Sequence, residues 1–462
     1  VPARQRFQLA LIVFTISFTL RAVWSAWVNV TPVSDFRGYD LLAVHWLDTG
    51  VFGAPGRYAY RTPGYPAFLS LIYTVFGHNW EAATIVQAFI GGFTSGFTTV
   101  LATYFLSSRS SVIAGLLHAF SPTAIAYVPV LASENLAVLL LVTGLLLVSI
   151  ARRTSGWKAI EASLASGFLL GLLLLVRPAA IFFSPGWIAA TAYPFAPRRS
   201  VVLSPLLVVL GASLVLSPWV VRNHKLGLGA FTLSSSGGVN LWMGNNDLAR
   251  TGGYIGEARD VIPTNNLVES QKDAAYRNAA ITWILQHPTR YLALSGRRLV
   301  RIMGVYPDGW AAKSLPSVTS AEASTSENTG VAVQGPTWTK HTGKINRRLF
   351  LAAIRAILAP LVILSLVLSF SQWHRYLDIV LPALSYIVGL SLTYVQIRFR
   401  EILNPLLFIP LAGLTADMLF GSDELGNWLS RRGKILLSAV LVALTVGVHI
   451  SGLAGNAYRL HR

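Results

Sequence analysis

Carboxylates and arginines crowd one polar stretch near the start of the chain. It runs Ser34-Asp35-Phe36-Arg37-Gly38-Tyr39-Asp40, then Arg57-Tyr58-Ala59-Tyr60-Arg61-Thr62-Pro63-Gly64-Tyr65-Pro66. A carboxylate beside a membrane can take a proton from an acceptor hydroxyl, if burial or neighbours tune its pKa. Asp35 suits that role, although an acid at a helix start is also favoured by the dipole alone. Asp40, five residues on, does not share its face and reads as a solvated acid. Arg57 and Arg61 flank tyrosines. Arginine's planar fork matches phosphate oxygens, and the competing reading is an anchor on ordinary lipid headgroups.

Other candidates lie far away in sequence. Glu134 opens an apolar run in Ala132-Ser133-Glu134-Asn135-Leu136. Acids at such places are costly and usually partnered; capping beside Ser133 is the alternative. Arg177-Pro178 and Arg398-Phe399-Arg400-Glu401 stand at the ends of apolar runs. They could neutralise a lipid phosphate, or simply snorkel to the membrane surface. Asn240, Asn245 and Asn246 could hydrogen-bond a sugar while Trp242 stacks on it, although Gly/Asn turns occur in any loop. His224 and His287 lack the i, i+4 pairing of a helical metal site. The chain has no cysteine, which excludes disulfides and thiolate chemistry. It has no Walker loop and no nucleophile elbow, so soluble nucleotide chemistry has no support.

The positioning elements must be membrane helices. The 462 residues are 53% hydrophobic and only 12% charged, against about 25% charged in soluble domains. Runs near 8–28, 80–106, 111–128, 131–150, 160–176, 179–193, 200–221, 348–370, 375–396, 401–420 and 433–455 give about eleven spans. The first is expected to be an uncleaved signal anchor. The net charge of +18 reflects basic residues at cytoplasmic turns rather than nucleic-acid binding. These are Arg4/Arg6, Arg109, Arg152/Arg153/Lys158, Arg198/Arg199, Arg375 and Arg431/Arg432/Lys434.

Two loops, 29–79 and 222–346, then share the outer face. The expected organisation is an N-terminal membrane module (1–221), a long extracytoplasmic loop (222–346) and C-terminal helices (347–462). In the first loop Tyr39, Leu42 and Trp46 share a face with Asp35. Ser34 is placed to cap that interfacial helix, and Gly50, Gly53, Pro55 and Gly56 break it. In the second, Ser270-x-x-Asp273 reads as a capping box. Arg290, Arg297, Arg298 and Arg301 form a basic stripe, and the Ser/Thr/Gly-rich stretch 314–340 reads as mobile.

Four motifs, taken in order, resemble the GT-C membrane glycosyltransferases, in the branch of the lipid A aminoarabinose transferase and the protein O-mannosyltransferases. The first is Ser34-Asp35-x-x-x-Tyr39 with Arg61-Thr62-Pro63-Gly64-Tyr65-Pro66. The second is Ser133-Glu134-Asn135-Leu136. The third is Asn223-His224 with Gly237 to Asn246 and Thr251-Gly252-Gly253-Tyr254. The fourth is Arg398-Phe399-Arg400 with Pro405.

The resemblance implies an all-α GT-C fold and a polyprenyl-phosphate sugar donor. It implies an inverting transfer to an envelope lipid or glycan, at the outer face of a bacterial inner membrane. On it, Asp35 is the base. Tyr39, Arg57, Tyr60, Arg61, Tyr65, Glu134, Asn240, Asn245 and Asn246 bind substrates. Arg61, Arg177, Arg398 and Arg400 hold the lipid phosphate. A divalent metal on Asp35 and Glu134 is the one cofactor it admits. The aminoarabinose branch has Glu-Lys-Pro-Pro where this chain has Tyr60-Arg61-Thr62-Pro63, so the acid used there toward a metal is missing here. The other classes to separate are a polyprenyl-linked sugar flippase, with charges at the bilayer midplane, and an O-antigen ligase or polymerase.

Overall fold

The computed structural model describes residues 1–303 except 29, 33, 193–197, 230, 250–252 and 254, and residues 358–443 except 423 and 426–428. Its described elements are helical, apart from one isolated bridge between Ala54 and Arg57. Helix α1 (Ala3–Trp27) is followed by α2 (Ser34–Thr49) and α3 (Gly64–Phe76) in the first polar segment. Next come α4 (Trp80–Ala102), α5 (Ser108–Ala119), α6 (Pro122–Ala126), α7 (Ser133–Arg153) and α8 (Trp157–Val176). A 3₁₀ turn (Pro178–Phe183) leads to α9 (Ser184–Ala192) and α10 (Arg198–Lys225). The second polar segment holds α11 (Gly237–Gly244), α12 (Glu269–Gln286) and α13 (Pro288–Ile302). The last helices are α14 (Leu358–Ser369), α15 (Leu377–Leu392), α16 (Ile397–Phe420) and α17 over 431–443.

Among the described residues six helices, α1, α4, α7, α8, α10 and α16, are long and apolar enough to cross a membrane. This differs from the eleven runs of hydropathy for local reasons. The run 111–128 is two helices, because Pro122 starts a new one. The run 179–193 is a 3₁₀ turn plus nine helical residues. Pro178 cannot continue α8, which ends at Val176. The runs 348–370 and 433–455 are described only over 358–370 and up to 443. The stretch 314–340 and the Thr251-Gly252 and Tyr254 positions lie outside the described residues.

Small residues let the long helices close. A Cβ on Gly167 of α8 would lie 2.1 Å from the Val208 carbonyl oxygen of α10, so only glycine permits this approach. Polar side chains inside the bundle bond locally. Thr94, Ser95, Thr98 and Thr99 of α4 each donate to the carbonyl four residues back. Arg21 is fully buried in α1 and donates to His118 O at 2.9 Å and Ala119 O at 2.8 Å. These carbonyls belong to the last turn of α5, where a cation is favoured.

The two polar segments meet at one end of the bundle. Glu269 at the start of α12 accepts from Tyr58 N and Ala59 N. The other end carries the predicted turn arginines. Arg6 and Arg153 both lie over Tyr104, at 4.4 and 5.0 Å.

Candidate active site

Asp35 comes to its place because α2 begins at Ser34, just beyond α1. Ser34 takes a left-handed φ of 52°, a sparsely populated conformation for a non-glycine residue. Gly50, Gly53 and Gly56 take φ values of 68°, 112° and 72°, so the predicted break after α2 is a run of conformations that favour glycine. The chain turns there and returns through Arg57, Tyr60 and Arg61. Gly64 then starts α3 against the end of α8, where a Cβ would lie 2.7 Å from the Leu175 carbonyl.

This folding assembles a ladder of charges from four distant segments. Asp35 Oδ1 accepts a short hydrogen bond from Arg61 Nη2, and Oδ2 accepts from Arg398 Nη2 at 2.7 Å. Arg398 Nε donates to Gln396 Oε1 at 2.6 Å and lies 3.7 Å from Glu134 Oε1. Arg177 Nη1 stands 2.7 Å from the same Glu134 oxygen, an ion pair rather than an aligned hydrogen bond. Arg177 also lies over the Phe399 ring at 4.7 Å. Three guanidiniums thus face two carboxylates, leaving one positive charge in excess.

Access is graded along the ladder. The Asp35 and Arg61 side chains keep 25% and 26% of their exposure, whereas Glu134 keeps 3%. The reachable end is therefore Asp35 with Arg61 and Arg398. Burial by itself would raise the Asp35 pKa; the Arg398 and Arg61 charges outweigh it and hold it down at about 2.

The tyrosines frame this end. Arg61 sits 5.3 Å from the ring centroids of both Tyr39 and Tyr60, and Arg57 sits 5.4 Å from Tyr60. Tyr65 is buried and meets Tyr39 edge-on at 5.1 Å. Its hydroxyl donates to Gln87 Oε1 at 2.7 Å. Gln87 in turn donates to Val128 O and Val130 O, each at 2.8 Å. Gln87 therefore underpins the loop that leads into Glu134, and a lone Gln in an apolar run does not advertise that task. Arg400 lies two positions beyond Arg398, turned about 200° around the helix.

Several expectations need correction. Asp40 is not a solvated acid: it is 3% exposed. Its Oδ1 meets Tyr73 OH at 2.7 Å, His78 Nε2 at 2.8 Å and Trp80 Nε1 at 3.0 Å. The asparagines do not line the ladder. Asn245 is fully buried, donating to Leu241 O and Thr393 O and accepting from Arg298. Asn246 bonds Trp242 O and Leu248 N. Trp242 is buried and its indole N–H donates to Ala258 O at 2.7 Å, so its ring is not free to stack on a sugar. Asn240 is half-buried in α11, and its N–H donates to Ser236 O.

The predicted basic stripe divides. Arg298 turns inward and joins Gly244 O, Asn245 Oδ1 and Ser391 O, tying the ends of α11 and α15 together. The Ser270 capping box does not form, because α12 starts at Glu269; Gln271 Oε1 accepts from Val268 N, and Asp273 accepts from Gly238 N.

Asp35 and Glu134 suit a divalent cation poorly. Both are occupied by guanidiniums, so a cation would enter a site that already carries excess positive charge. Among the described residues no three His, Cys, Asp or Glu side chains are grouped to hold a metal.

The sequence model of the dolichyl-phosphate-mannose-protein mannosyltransferase family matches residues 60–221. That stretch includes Arg61, Glu134 and Arg177, but neither Asp35 nor Arg398. No curated protein matches the chain. Among solved structures, the Archaeoglobus fulgidus oligosaccharyltransferase tethered with an acceptor peptide matches with a TM-score of 0.52 at 15% identity, over 98% of this chain and 55% of that one. The apo form of that enzyme matches with a TM-score of 0.50 at 15% identity, over 97% and 55% of the two chains. ArnT from Cupriavidus metallidurans in the apo state matches with a TM-score of 0.41 at 10% identity, over 88% and 78%. The chain spans about half the length of the oligosaccharyltransferases it matches. The chain thus shares its fold with these membrane oligosaccharyltransferases, in keeping with the all-α fold that the GT-C resemblance implies.

Proposed function

We propose that the chain is an inverting glycosyltransferase. It takes a sugar from a polyprenyl-phosphate donor and passes it to a hydroxyl of an envelope lipid or glycan at the extracytoplasmic face. The observation that carries this reading is Asp35, a partly exposed carboxylate held between Arg61 and Arg398 in a site with excess positive charge. The family description supports the donor class, since it names a dolichyl-phosphate sugar.

In this reading the acceptor oxygen attacks the anomeric carbon. The new C–O bond forms as the bond from that carbon to the phosphate oxygen breaks. The acceptor proton passes to the Asp35 carboxylate, and the electron pair leaves on the phosphate, where Arg61 and Arg398 meet the growing charge. A carboxylate with a pKa near 2 is a weak base. The donor phosphate competes for the same two guanidiniums, so its arrival loosens their hold on Asp35 and raises its basicity. The base is armed by the donor. Arg177 and Glu134 stay behind this pair and keep Arg398 in register.

The test is purified protein in nanodiscs with a radiolabelled polyprenyl-phosphate sugar and envelope-lipid acceptors. Label should move to the acceptor with wild-type protein and not with Asp35→Asn. Near-normal turnover in the variant would remove Asp35 from the role of base. Failure of the wild type to release polyprenyl phosphate from any such donor would remove the reading altogether.

A further inference from the structure

The turn that carries Arg61 is held by residues outside the ladder. Residues 58–60 donate or accept at five backbone positions, all answered from the second polar segment or the end of α10. Glu269 takes two of them: Tyr58 N at 2.5 Å and Ala59 N at 3.0 Å. Ser235 N donates to Ala59 O at 3.0 Å, and Ser234 Oγ donates to Tyr60 O at 2.9 Å. Arg222 Nη1 donates to Tyr58 O at 3.1 Å. The Glu269 carboxylate also accepts from Ser235 Oγ at 2.5 Å and is 8% exposed.

A buried carboxylate answered by two backbone N–H groups and a hydroxyl makes charge-assisted bonds, stronger and more directional than neutral ones. Asp273, one helical turn on, accepts Gly238 N at 2.6 Å. Helix α12 is thus a beam whose acidic face holds the arginine turn with one residue and α11 with the next. Only Tyr60, itself held at its carbonyl by Ser234, separates the backbone that Glu269 holds from Arg61, so a shift at Ala59 moves the guanidinium that meets Asp35.

We propose that Glu269 is a positioning residue for the donor-phosphate site: by fixing the Tyr58–Ala59 backbone it aims the Arg61 guanidinium. This rests on the donor reading above. Gln at 269 keeps one acceptor oxygen and turns an NH₂ group toward backbone donors, so it preserves the shape but spoils the grip.

The experiment measures binding of a polyprenyl monophosphate to wild type, Glu269→Gln, Arg61→Gln and the double variant in nanodiscs, beside transfer kinetics with the donor varied. Glu269→Gln should weaken binding and raise the donor KM about tenfold, with kcat changed less. In the Arg61→Gln background the same change should add nothing, because it acts through Arg61. Ser235→Ala, a milder variant, should show a smaller loss that vanishes in the same background. An equal loss with and without Arg61, or wild-type binding in Glu269→Gln, overturns the proposal while leaving the donor reading intact. Absence of binding by the wild type overturns both.

Discussion

Helix α7 carries an ion cluster at each end, roughly 27 Å apart along its axis. At its start Glu134 joins Arg177 and Arg398, which lead out to Asp35 and Arg61. At its end Arg152 and Arg153 close on Asp378 of α15, with Ser149 Oγ donating to the same carboxylate at 2.8 Å. The residue types match and the surroundings do not. Asp378 is 0% exposed, and both its oxygens are held by groups that come from α7 alone. Asp35 keeps a quarter of its exposure, and its partners arrive from two different segments. A sealed cluster has no free coordination to offer and acts as a rivet. An open one, with its charges borrowed from separate elements, can exchange partners with a ligand.

That contrast is broken most strongly at Asp35. Asp35→Asn should lower transfer by about 10²–10⁴-fold while leaving the melting temperature close to wild type. The same variant should bind a polyprenyl monophosphate more tightly, because the competitor for Arg61 and Arg398 is gone. Weaker binding, read by the same isotherm, would show that Asp35 does not compete with the phosphate. The sealed cluster should respond in the opposite way. Asp378→Asn leaves two arginines without their carboxylate and should cost about 3–5 kcal/mol of stability, read by thermal unfolding in detergent, with specific activity of the folded fraction retained.

Arg398→Gln ranks next. Loss of one charge on the leaving phosphate should lower kcat by about 10²–10³-fold. It also removes the larger of the two charges that depress the Asp35 pKa. In wild type Asp35 stays ionised down to about pH 2, so the free enzyme should show no acid limb from it near neutrality. In the variant that pKa rises, and the acid limb of kcat/KM should move upward; a limb that stays put would dissociate Arg398 from Asp35. Arg57→Gln removes a cation stacked on Tyr60 and should change transfer by less than about threefold. The smallest effect expected is that of a chelator: with the ladder's carboxylates occupied by arginines, EDTA should leave transfer unchanged in a simple rate assay.

Much of the site was legible before the fold. Asp35, Arg61, Glu134, Arg177 and Arg398 stand out because charges are rare in this chain: the first two lie in the polar stretch between the first two apolar runs, and the other three at the ends of later runs. Their shared face followed from alternating the runs across a membrane. Asp40 misled because its spacing from Asp35 says nothing of Tyr73, His78 and Trp80, which fold over it. The asparagines misled because a Gly/Asn-rich segment looks exposed, while Asn245 is needed inside to meet Arg298. Glu269 gave no signal at all; an acid in the first turn of a helix is ordinary, and Ala59, whose backbone it holds, lies 210 residues away.

The sequence alone determines the helical class and the polar segments, because hydropathy and helix breakers act over a few residues. Which carboxylate meets which arginine is decided only by the tertiary structure. Arg398 reaches Asp35 across 363 residues, and the packing that brings them together also sets how much water each retains. That packing leaves Asp35 open to water and seals Asp378 away from it, although both are aspartates beside paired arginines.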